Sequence, residues 1–125
     1  MSVAKEKPSK YDLEHRTFVF AREVRPFVRR LPRTISNRED VKQLVRASGS
    51  VGANYIEANE PLGHKDFRLH IKISRKEAKE SRYWLQLVFT SDSAELHQER
   101  QRLVNEATEL MNIFGAILRK TERPD

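Results

Sequence analysis

The sequence predicts an all-α protein, an antiparallel up-down-up-down bundle of four helices. Three observations carry that prediction. Four long stretches repeat apolar residues with a period near 3.6. Stop signals, Pro32, Pro61 and Gly63 among them, separate the first three. No stretch alternates apolar and polar residues for long enough to read as a strand. A chain of 125 residues suits one domain, and four amphipathic helices joined by short connections bury four stripes most simply as a bundle.

The first eleven residues, polar and lysine-rich with Pro8, read as a loose tail. The bundle is expected over residues 12–120, with a frayed end at 121–125. Segment one runs from Asp12 to Leu31, and its stripe is Leu13, Phe20, Val24, Phe27, Val28 and Leu31. Pro26 lies inside it and predicts a kink or break, because proline removes a backbone donor. Segment two runs from Ser36 to Glu60. Ser36 and Glu39 have capping-box spacing, and Val41, Leu44, Val45, Ser48, Gly52, Tyr55 and Ile56 line up along it. Segment three, from Lys65 to Thr90, aligns Phe67, Ile71, Ser74, Ala78, Ser81, Leu85 and Val88, widened by Ile73 and Trp84. A second box is expected at Asp92 and Glu95. Segment four then aligns Leu96, Leu103, Val104, Ala107, Leu110, Met111, Phe114, Ile117 and Leu118.

The net charge of +6 is unevenly spread: +5 over residues 1–33, −1 over 34–63, +4 over 64–91 and −2 over 92–125. Segments one and three are therefore the cationic ones. All seven basic residues of segment three, Lys65, Arg68, Lys72, Arg75, Lys76, Lys79 and Arg82, fall within about 120° of the helical wheel. Such a ladder fits the phosphates of a nucleic acid, each contact releasing a condensed counterion. It fits equally a solvated helix face. Arg22, Arg25 and Arg29 form a shorter ridge on segment one, followed by Arg30 and Arg33. No RNA-reading module signature is present, so binding is expected to be led by backbone and shape.

Segment two carries a second face of small and polar residues: Arg46, Gly49, Ser50, Ala53, Asn54 and Glu57. Small residues let another backbone approach closely. That face serves either ordinary packing within the chain or, as the preferred reading, contact between subunits. Glu77 and Glu80 project near apolar positions and need partners, since an unpaired buried charge is costly.

Signals for chemistry are weak. Cys is absent, which removes disulfides, thiolate metal sites and cysteine nucleophiles. His15, His64, His70 and His97 are scattered and form no Glu-x-x-His pair of the kind di-iron bundles use. There is no phosphate-binding loop, dinucleotide fingerprint or nucleophile elbow. No enzyme activity, metal or cofactor is expected. The apolar runs are too short to span a membrane and the N-terminus lacks a secretory signal, so a cytoplasmic location is the expectation.

Two stretches carry a resemblance: RASGSVGANYIEANE from Arg46 to Glu60, and DFRLHIKISRKEAKESRYWLQLV from Asp66 to Val88. Together they resemble the hallmark of the bacterial four-helix-bundle proteins encoded in 23S ribosomal RNA intervening sequences. The matching residues are Arg46, Ser48, Ser50, Val51, Ala53, Asn54, Glu57 and Ala58 in segment two. In segment three they are Phe67, Lys76, Glu77, Ala78, Glu80, Ser81, Tyr83, Trp84 and Leu85. The resemblance implies a cyclic homo-oligomer, a pentamer, of four-helix protomers. Relatives include accessory proteins of diversity-generating retroelements, so by analogy it also implies a reverse transcriptase as a partner. It supplies no catalytic residues.

Two functions follow from these readings. The first is a non-enzymatic protein that binds RNA, or less readily DNA, through Arg68, Lys72, Arg75, Lys79 and Arg82, with help from Arg22, Arg25 and Arg29. The second is an oligomeric assembly or adaptor protein with no nucleic-acid role, whose basic stripe docks an acidic protein partner.

Overall fold

Each of the four apolar stretches is helical in the computed structural model, which describes residues 12–124. Helix α1 spans Leu13–Arg29, α2 Ile35–Ala58, α3 His64–Leu87 and α4 Ala94–Lys120. The described residues contain no strand. Helices α1 and α3 each pack on α2 and α4 but not on each other, so they lie diagonally across a four-helix bundle. The expected N-terminal tail lies outside the described residues. At the other end Thr121 follows α4, and its hydroxyl donates to the Ile117 carbonyl at 2.7 Å.

The starts of α2 and α4 follow capping chemistry, though not at the expected residues. Thr34 rather than Ser36 caps α2, its Oγ1 accepting from the Asn37 N–H at 3.0 Å. Ser93 rather than Asp92 caps α4, accepting from the Leu96 N–H at 3.1 Å. Several short oxygen side chains cluster at each start, and the one with extended backbone at the junction becomes the cap. Pro26 does not break α1, which continues through it to Arg29. Pro26 removes one i→i−4 hydrogen bond, yet the helix runs on for three more residues. The next residue, Phe27, is buried at 1% exposure and anchors the last turn.

The stripes of α1, α3 and α4 enter the core as predicted, with Phe20, Phe27, Ile71, Leu85, Leu103, Leu110 and Phe114 all buried. That of α2 is rotated. Leu44, Ser48 and Tyr55 are buried as expected, but so are Ala47, Val51 and Ala58, while Ile56 is exposed. The reason is packing distance. Small residues on α2 face Ser74, Ala78 and Ser81 of α3, and this is the most extensive helix pair. Ser74 Oγ crosses the pair and donates to the Val51 carbonyl at 2.9 Å. Buried Ser48 and Ser81 instead donate to carbonyls of their own helices, so these hydroxyls are satisfied without water.

Ion pairs line the α1–α4 seam beside the shared apolar core. Arg16 makes a bidentate contact with Glu106 at 2.7 and 2.8 Å and reaches Glu109 at 2.6 Å. Further along, Arg102 reaches Glu23 at 2.9 Å, and Arg30 pairs with Glu95. The hydrogen bond to Glu106 holds the Arg16 guanidinium above its ordinary pKa. Its bond to Glu99 does the same for Arg102, and that bond holds the Glu99 carboxyl below the usual carboxylate range. A lowered carboxyl pKa stabilises the fold at neutral pH. That contribution is lost as pH falls from the ordinary range through the lowered value.

Candidate nucleic-acid interface

The basic ladder of α3 splits in the folded chain. Lys65, Lys72, Arg75, Lys76 and Lys79 are exposed. None of them forms an ion pair among the described residues. Arg68 and Arg82 are half-buried and turned toward α4. Arg68 Nη1 donates to the Leu118 carbonyl at 2.6 Å and to Thr121 Oγ1 at 2.7 Å. Arg82 Nη1 donates to Thr108 Oγ1 at 3.3 Å. These two arginines tie α3 to α4, and their guanidinium groups are partly engaged. Lys65, Lys72, Lys76 and Lys79 form a row along the exposed side of the helix, open to a polyanion, while exposed Arg75 leans over Gly115 of α4.

The α1 ridge does not join that row. Arg22 lies over the Phe18 ring at 5.2 Å, a cation–π contact. Arg25 Nη1 donates to the Ala21 carbonyl at 2.6 Å. Both line a groove between α1 and α2, walled by Phe18 and Ile56 and floored by Gly49, Gly52 and Ala53. Arg29 points elsewhere, to a cup at the α1–α2 corner. Because α1 and α3 are diagonal, ridge and row form separate basic surfaces.

On α2, Ala53 and Glu57 are exposed, and Gly49, Ser50 and Asn54 are half-buried. Asn54 Nδ2 donates to the Ser50 carbonyl at 2.9 Å. Arg46 is engaged within the chain, reaching Glu80 at 3.3 Å and Glu77 at 3.6 Å. Glu77 is only 8% exposed, and its Oε1 is buried without a hydrogen bond. Arg46→Ala should therefore lower stability by about 1–2 kcal/mol, less than for a wholly buried pair because Arg46 itself is half in solvent. Urea unfolding checks this. In a Glu77→Gln background the loss should shrink toward zero, because no buried carboxylate is then stranded.

Among the described residues no three His, Asp or Glu side chains gather to hold a metal ion. His70 packs against Asp66, 3.6 Å between Nδ1 and Oδ1. No described helix is long and apolar enough to cross a membrane. Arg38 escaped the sequence reading. It belongs to α2, and only the turn at Pro32 brings it beside Arg29 and Arg33.

These features define a class: a basic four-helix bundle whose charge is displayed on separate helix faces. The chain belongs to the 23S rRNA-intervening sequence protein family, which it matches over residues 9–116. It is similar to a solved protein of unknown function from the S23 ribosomal protein family of Bacteroides thetaiotaomicron VPI-5482. The two are 25% identical with a TM-score of 0.70, over 85% of this chain and 97% of that one. Among curated proteins none matches.

Proposed function

We propose that the chain is a non-enzymatic, self-associating bundle that binds nucleic acid through phosphate contacts, RNA ahead of DNA. The observation that carries this reading is the set of five exposed, unpaired cations on α3, Lys65, Lys72, Arg75, Lys76 and Lys79. A solvated helix face ordinarily mixes signs. This one presents a single sign along the exposed side of α3.

The test is the affinity for a structured RNA as salt is raised. Between about 50 and 200 mM the affinity should fall steeply, and Lys72→Ala or Lys79→Ala should each flatten the log–log slope by about 1. Both side chains are exposed and unpaired, so the fold is unaffected. Unmeasurable binding at the low-salt end would end the nucleic-acid reading. Binding without salt dependence would end the phosphate mechanism.

Self-association is proposed as a cyclic pentamer of antiparallel protomers. Antiparallel order is supported by the α1–α4 pairs: as α1 numbers rise from Arg16 through Glu23 to Arg30, their partners fall from Glu106 through Arg102 to Glu95. Association through α2 is supported by the outward small residues Gly49 and Ala53. A mass near five chains is expected by sedimentation at micromolar concentration, and a monomer there refutes the assembly. One observation favours an adaptor role as the second reading: Phe18 and Ile56 are exposed at 57% and 47% on the walls of the α1–α2 groove. Capture of an acidic protein that survives nuclease treatment would favour it.

A further inference from the structure

At the corner where α1 turns into α2, an open cup of about 470 Å³ is lined by Val28, Leu31, Pro32 and Val41. Arg29, Arg33 and Arg38 line it too. All three arginines are exposed. Their neighbour Arg30 is taken up by Glu95, but none of the three meets a carboxylate among the described residues. The volume lies in the range of small-ligand sites, about 300–1,000 Å³. A mostly apolar lining to which three exposed arginines contribute is complementary to a ligand that is flat and apolar in one part and anionic in the next. An unpaired nucleotide has that form: the base covers the aliphatic lining or stacks on a guanidinium plane, and its flanking phosphates meet the arginines.

We infer that this cup holds an extruded base of a bound nucleic-acid strand. The inference rests on the nucleic-acid reading above and adds a second contact, distinct from the phosphate row of α3. The cup's buried amide cannot read the base. Asn37 Nδ2 donates to the Pro32 and Phe89 carbonyls at 2.9 and 2.8 Å, and its Oδ1 accepts from the Phe89 N–H at 2.8 Å. The contact is therefore expected to tolerate any base.

The experiment compares two single strands of equal phosphate number, one with all its bases and one abasic throughout, each as RNA and as DNA, on the full chain. The base-bearing strand should bind about tenfold more tightly, the scale of base stacking on a protein surface. An Arg33→Ala, Arg38→Ala double variant should bind both strands nearly equally, and its circular dichroism should match the parent's because both side chains are exposed and unpaired. Equal binding of the two strands by the parent chain overturns the cup while leaving the phosphate row intact. So does discrimination that survives in the double variant. If neither strand binds at low salt, the underlying nucleic-acid reading fails and the cup fails with it.

Discussion

Phe114→Ala should lower the unfolding free energy by about 3–5 kcal/mol, the cost of a large cavity in a close-packed core. Phe114 is fully buried on α4 and meets the Tyr55 ring of α2 with centroids 6.0 Å apart. It therefore joins two helices that meet diagonally through the centre of the bundle. A domain of this size has only about 5–15 kcal/mol to lose, so the variant should melt many degrees lower in a thermal scan. Phe18→Ala is the control. Phe18 is also a helical phenylalanine but stands 57% exposed on α1, and its loss should change stability by about 0.5 kcal/mol or less. A similar cost at both positions would contradict the packing described.

The second large effect is expected at two glycines three residues apart. Alanine inside a helix ordinarily gains up to about 1 kcal/mol over glycine. At Gly49 a Cβ meets nothing within 4 Å, so Gly49→Ala should show that gain. At Gly52 a Cβ stands 2.9 Å from Thr17 Oγ1 and 3.3 Å from Thr17 Cβ. Thr17 is fully buried in α1, its hydroxyl donating to the Glu14 carbonyl, so it has nowhere to move. Gly52→Ala should therefore lose about 1–3 kcal/mol through overpacking. Thr17→Ala removes the nearer of the two contacts and should recover part of that loss, seen as favourable coupling in a double-mutant cycle. Should Gly49→Ala fold more stably yet assemble less well, Gly49 would be marked as a point of subunit contact.

Much of the fold was legible because helix formation and burial follow local periodicity. The stripe of α4, from Leu96 to Phe114, entered the core as read, since large aliphatic and aromatic residues mark a core face unambiguously. The buried face of α2 is rotated from the stripe its large apolar residues predict, for the opposite reason. Its true core face includes Ala47, Val51 and Ala58, two of them alanines that hydropathy weights lightly, while Ile56 drew the reading outward. Only the facing Ser74, Ala78 and Ser81 explain why small residues belong inside there. The basic residues of α3 were all visible in the sequence. Their division was not, because Arg68 and Arg82 are withdrawn by Thr108 and Leu118 of α4 and by Thr121 just after it, some 26 to 53 residues away.

By itself, then, the sequence determined four helices, their approximate limits, three of the four core faces and a one-sided cationic helix. Each of these depends on residue types repeated over one or two turns. The tertiary structure decided which cations remain free, that the α1 ridge and the α3 row are separate surfaces, that Arg46 is engaged with Glu77 and Glu80, and that Arg29, Arg33 and Arg38 surround one cup. Those facts depend on how diagonal and neighbouring helices are placed in space. Contacts between residues far apart in the chain leave no periodic trace within either helix.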